Sequence, residues 1–162
     1  MLNDIHKHQF LGKIEFPTLT WDEVIFNFNK NVIEDTDYKI MNNFGFVTHQ
    51  TRHNKKVCAV GEELQKLFPT NNISAHLYVS FLEISETFGR HNDYQHVFFW
   101  QCIGITQWTI WDDKEYTYNL MPGELLYIPV GMDHDTKPIT PRAGVSYGIE
   151  LEKLNENETE LV

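Results

Sequence analysis

The sequence predicts a mainly β fold, with strands closing into a barrel or sandwich behind a few N-terminal helices. Two observations carry this expectation. From Ile73 onward, short segments alternate apolar with polar or small residues at period two and are broken by Gly- and Pro-containing turns. Aromatic residues also make up 14% of the chain, a share that suits pleated surfaces.

The elements follow in order. Thr20 to Glu23 reads as a capping box, and Trp21, Val24, Ile25, Phe28 and Val32 then recur on one helical face. A second short helix is expected over Gly61 to Phe68, with Leu64, Leu67 and Phe68 on one side and Pro69 as its stop. Between them, Lys39 to Val60 reads as strand and loop. Strands are expected at Ala75–Leu82, Val97–Cys102, Gln107–Trp111, Tyr116–Leu120, Glu124–Ile128 and Ala143–Leu151, with Gly104 and the Met121-Pro122-Gly123 turn separating them. The domain expectation is an N-terminal part (1–72) packing on a barrel core (73–151), followed by an acidic, disordered tail (152–162).

A chain of 162 residues that is 41% hydrophobic has room for one domain with a real core. Its formal net charge of −10 argues against a large nucleic-acid-binding face and suits a basic polypeptide partner. The two cysteines, Cys58 and Cys102, sit in apolar settings and read as free buried thiols. Neither a signal-peptide pattern nor a run of roughly 18 apolar residues is visible, so a cytoplasmic protein without membrane contact is expected.

Two segments carry chemistry. Gly89-Arg90-His91-Asn92-Asp93 places His91 and Asp93 two residues apart, where side chains on an extended backbone project together. Gly123 to His134 ends in a Pro-x-Gly turn able to aim His134 inward. Two imidazoles and one carboxylate on one face of a metal leave the opposite face open, an arrangement suited to Fe(II).

At these residues the sequence resembles a known group. The stretch 123–134 reads G-x5-P-x-G-x2-H, which is similar to the second motif of the cupins. The first motif, His91-x-Asp93, resembles that of the JmjC-type and ribosomal-oxygenase-like 2-oxoglutarate oxygenases. HNDYQHVFFWQCIGITQWTIW, PGELLYIPVGMDH and GVSYGIE look like their corresponding segments, over residues 73 to 151. The resemblance implies a double-stranded β-helix (cupin or jelly-roll barrel) and an Fe(II) site on His91, Asp93 and His134. It further implies 2-oxoglutarate as cosubstrate and hydroxylation of a side chain in a basic polypeptide, such as a ribosomal protein. A homodimer is compatible with it. A metal cupin that does not use 2-oxoglutarate, or a non-catalytic cupin module, remains an alternative at this stage.

The similar oxygenases place a cation for the far carboxylate of 2-oxoglutarate two residues after the Gly that matches Gly104. Here that position holds Thr106, whose hydroxyl donates a hydrogen bond but neutralises nothing. Arg142, eight residues beyond His134, and Ser146, of the same strand parity, offer a replacement. The other reading of Arg142 is an exposed loop residue. Tyr78 and His76 alternate on the first barrel strand and could reach the pocket or pack at its rim. Gln101 orients a ligand or makes a structural hydrogen bond. Trp100, Trp108 and Trp111 read as barrel packing, His96 as a loop residue, and His6, His8, His49 and His53 as surface residues.

Overall fold

The computed structural model describes residues 2–34, 38–49, 51, 53–68 and 72–150. The expected tail at 152–162, the stop at Pro69 and the end of the last strand at Leu151 lie outside these residues. The chain runs β1 (Gln9–Lys13), α1 (Trp21–Ile33), β2 (Tyr38–Met41), β3 (Gly45–Thr48), α2 (Lys55–Gln65) and β4 (Ile73–Ser80). It continues with β5 (His96–Ile103), β6 (Thr106–Trp111), β7 (Glu115–Leu120), β8 (Glu124–Ile128), β9 (Asp133–Pro138) and β10 (Arg142–Ile149).

All strand pairs are antiparallel. One sheet has seven strands in the order β1-β8-β5-β10-β4-β3-β2, and the other has three in the order β7-β6-β9. The large sheet is covered on both faces. Leu77, Val79, Phe98, Trp100, Val145, Tyr147 and Ile149 point to the side where α1 and α2 lie, and form the larger core with Val24, Val57, Val60 and Leu64. Val97, Phe99, Leu126 and Ile128 face the small sheet and pack on Trp108, Ile110 and Leu120. Coverage on both faces explains why β5 (HVFFWQCI) is an almost unbroken apolar run.

The helices form for local reasons. The Thr20 hydroxyl accepts from the Glu23 N–H while the Glu23 carboxylate accepts from the Thr20 N–H, closing the expected capping box. The second helix starts earlier than Gly61, because Asn54 caps it through hydrogen bonds from the Lys56 and Val57 N–H groups. It ends at Gln65, so Leu67 and Phe68 lie beyond it.

β1 and β9 escaped the sequence reading. The composition of β9 (DHDTKP) does not favour strands, and it exists because every residue from Asp133 to Pro138 pairs with β6. His96 is not a loop residue. It opens β5, is buried, and its Nδ1 lies 2.7 Å from the Tyr127 hydroxyl. Cys102 is buried as expected, but Cys58 is exposed on α2. Trp100 and Trp108 are packed in the two cores. Trp111 instead lies half-buried at the end of β6, beneath the guanidinium of Arg90 at 4.1 Å. No helix among the described residues is long and apolar enough to cross a membrane.

Candidate metal centre

The space between the two sheets opens into a cleft of about 530 Å³, counted to its solvent-facing mouth. His91, Asp93, His134, Tyr78, Ser80, Ser146 and Arg142 line it together with Glu86, Thr87 and Thr136, and Met41, Val79, Val97, Phe99 and Trp108 form much of the apolar wall. A concave site that joins an apolar wall to convergent polar groups suits a small polar ligand.

His91 and His134 are held against each other by backbone. Their N–H groups donate to each other's carbonyls, at 3.0 Å and 2.8 Å, in an isolated antiparallel bridge. One turn further along, the Gly131 N–H donates to the Asp93 carbonyl at 2.8 Å. Gly131 has a φ of 76°, a conformation that favours glycine and turns the chain into β9. Outside the cleft, Arg90 donates twice to the Asp133 carboxylate, at 2.9 Å and 2.7 Å, and Asn92 donates to it at 2.9 Å. The segment 89–93 is therefore laced to the start of β9.

Three side chains converge as a result. One ligand atom each from His91, Asp93 and His134 lies within 4.8 Å of the other two. The His134 Nε2 is 3.5 Å from Asp93 Oδ2. In both histidines Nδ1 sits against the carbonyl two residues earlier, His91 on Gly89 at 2.7 Å and His134 on Met132 at 3.0 Å. A carbonyl only accepts, so Nδ1 carries the proton and each Nε2 keeps its lone pair. Burial, with the neighbouring His91, holds the His134 imidazole below its usual 6.5, which keeps the ring neutral, as a metal ligand must be. Two imidazole nitrogens and one carboxylate at this spacing suit a divalent cation with open positions.

Arg142 is buried, not an exposed loop residue. It opens β10, and its Nε donates to the Ser80 hydroxyl at 3.2 Å and its Nη1 to the Thr106 hydroxyl at 3.4 Å. Among the described residues no carboxylate pairs with it. Burial lowers its pKa to about 10, so it is charged at neutral pH. A buried cation that meets only hydroxyls is costly unless an anion joins it.

The other expected site residues divide. Tyr78 lines the cleft, and burial together with the Asp93 carboxylate pushes its hydroxyl up to about 12. Ser146 also lines it, whereas Thr106 reaches it only through Arg142. Gln101 takes no part, because its amide donates to the carbonyls of Ile103 and Gly104 at the β5–β6 turn. His76 pairs with His49, their Nδ1 atoms 2.7 Å apart, away from the cleft. His8, expected on the surface, is nearly enclosed between Asp112 and Tyr118, and His53 meets Glu34. Ser80 and Trp108 were missed as lining residues. Ser80 shares the parity of Tyr78, which is the signal that could have found it.

No protein-family model matches this chain, and no curated protein sequence matches it. Solved structures do. The structure of YcfD, a ribosomal oxygenase from Escherichia coli, in complex with cobalt and 2-oxoglutarate superimposes with a TM-score of 0.75 at 17% identity, over 91% of this chain and 49% of that one. The chain has the cupin fold. A second crystal structure of the E. coli ribosomal oxygenase gives a TM-score of 0.74 at 17% identity, over 93% of this chain and 50% of the other. A variant of oxalate decarboxylase from Bacillus subtilis, also a cupin, gives 0.52 at 13% identity, over 72% and 28%. This cupin chain thus spans about half the length of the ribosomal oxygenase structures it matches.

Proposed function

We propose that this protein is an Fe(II)- and 2-oxoglutarate-dependent oxygenase that hydroxylates a side chain of a basic polypeptide, with ribosomal proteins as the first class to test. The observation that carries this reading is the pairing, within one cleft, of a three-residue metal constellation and a buried guanidinium that has no carboxylate partner among the described residues. A dicarboxylate that chelates a metal at one end and needs a cation at the other matches both halves. The likeness to a ribosomal oxygenase with cobalt and 2-oxoglutarate supports it, and the net charge of −10 suits a basic substrate.

In this reading His91 and His134 offer Nε2 and Asp93 an oxygen to Fe(II), and the carbonyls of Gly89 and Met132 keep both rings aimed. Arg142 pairs with the far carboxylate of 2-oxoglutarate, steadied by Ser80 and Thr106, while Ser146 and Tyr78 offer hydroxyls along the cleft. When bound, the metal and cosubstrate together supply an oxidant strong enough to hydroxylate a C–H bond. Val97, Phe99 and Trp108 exclude water around it. Arg142 is charged near pH 7, and burial of His134 favours its neutral form.

The test is succinate formation from 2-oxoglutarate with added Fe(II), alongside the rise in melting temperature on adding Mn(II). A metal that binds only the folded state stabilises it by mass action. Wild type should show both effects and Asp93→Ala neither. A metal-induced shift that survives in Asp93→Ala sinks the triad, and the absence of succinate from the metal-loaded wild type sinks the cosubstrate.

A further inference from the structure

We propose that this protein pairs with a second copy of itself through the outer face of α1 and the free edge of β2. Surface helices normally turn charged residues to water. Between its first turn and its C-cap, α1 instead points Ile25, Phe26, Asn29, Val32 and Ile33 outward, with Lys30, set against Glu34, the one charged residue of that stretch, and exposes Ile33 at 69%. On the opposite side it buries Asn27 and Asn31 completely. The helix is apolar where a monomer would be polar.

This face continues onto the sheet. Phe28 stands edge-on to Tyr38 at 6.0 Å, which places Tyr38, and Ile40 of the same parity, on the helix side of β2. Tyr38 is 40% and Ile40 61% exposed. Lys39 and Met41 turn the other way, Lys39 over the ring of Phe88 and Met41 into the cleft lining. Among the described residues β2 ends the seven-stranded sheet, so its outer backbone edge meets no further strand. An edge left open in this way can accept another strand, and its one lysine, Lys39, is turned to the other face over Phe88.

Area and charge point to a copy of the chain as the occupant. Six large side chains, each about half exposed and each worth roughly 200 Å², offer on the order of 600 Å² per copy. Two copies would cover about 1,200 Å², the lower bound of a specific interface. A twofold axis lays β2 antiparallel against its mate, so the same four residues satisfy both edges. With a net charge of −10, a basic partner would be drawn to the acidic surface, whereas the large exposed side chains described on this face, Ile25, Phe26, Val32, Ile33, Tyr38 and Ile40, are all uncharged. Two acidic copies can meet only where neither brings charge, and charge-depleted centres are the mark of such interfaces.

Sedimentation velocity on the full chain from about 1 to 100 µM, the range in which modest interfaces associate, tests this. Wild type should convert from monomer to dimer, and Ile33→Lys and Ile40→Lys should each weaken the dimer at least tenfold. Both positions are exposed, so circular dichroism melts should match wild type. Added salt should strengthen the dimer by screening the repulsion between acidic copies. Amide exchange at Tyr38–Met41 in the wild type should slow as concentration rises, a readout that needs no variant. A wild type that stays monomeric, a dimer indifferent to both substitutions, a dimer that salt dissolves, or exchange independent of concentration overturns the proposal. Capture of a peptide or lipid vesicle by monomeric wild type would assign the face to another occupant, and equally overturns it.

Discussion

The two faces of β10 differ in everything except the backbone they share. Ala143, Val145, Tyr147 and Ile149 point toward the helices and are completely or almost completely buried in the larger core. Arg142, Gly144, Ser146 and Gly148 point toward the small sheet; Arg142 and Ser146 line the cleft, and the two glycines let neighbouring side chains close onto the strand. A Cβ at Gly144 would run into the Phe99 ring, and one at Gly148 into the Gln95 amide and the Ser74 hydroxyl. One face therefore maximises packing. The other accepts a buried cation that meets only hydroxyls among the described residues, which reduces stability but suits a ligand.

That contrast breaks most visibly at Arg142. Arg142→Met removes the buried cation, so the ligand-free protein should melt at the same temperature or higher. Affinity for 2-oxoglutarate should fall by about 3–5 kcal/mol, the cost of stripping one partner from a buried charge pair. Calorimetric titration of the Mn(II)-loaded protein reads the binding and a thermal melt the stability. A variant that is destabilised and still binds would show that Arg142 belongs to the structural face after all.

The opposite face should give the opposite result. Ile149→Ala leaves a cavity in the larger core and should cost about 2–5 kcal/mol in urea unfolding, while the metal-induced thermal shift stays as in wild type. Loss of that shift in a folded Ile149→Ala protein would mean that the two faces are coupled through the strand.

A smaller effect sharpens the comparison through pH. Burial holds both His134 and His96 below 6.5. The unfolded chain therefore takes up protons near pH 6.5 that the folded chain refuses. Their contribution is complete above about 6.5 and is lost as pH falls through the lower folded values. Melts of the metal-free protein from pH 7.5 downward should show stability falling, and His96→Gln should flatten that slope in part. A metal-free protein whose stability rises on acidification would contradict the burial of both rings.

The barrel and its candidate site were legible in the sequence to different depths. Glu124–Ile128 and the strands around 97–111 could be read because alternation, or a run buried on both faces, leaves a period or a length that chance rarely imitates. β9 could not be read, since DHDTKP carries no such pattern and becomes a strand only by pairing with β6. Spacing and turn residues made His91, Asp93 and His134 candidates, and the resemblance to the cupin oxygenases joined them into one set. Whether Arg142 was buried could not be decided from its neighbours Pro141 and Ala143, because burial depended on Ser80 and Thr106 arriving from two distant strands. Gln101 was open between a ligand and a structural hydrogen bond, and its local turn supplies the latter through acceptors two and three residues away.

The imidazoles of the cleft are steered by main-chain oxygens, Gly89 for one ring and Met132 for the other. No substitution can delete a peptide carbonyl. The flanking side chains Arg90, Asn92 and Asp133 tie the two segments together, while the aim of each ring rests on the main chain. A change that bends the turn before either histidine, such as a bulkier residue at Gly89 or Gly131, both in left-handed conformations, would misdirect a ring it never touches.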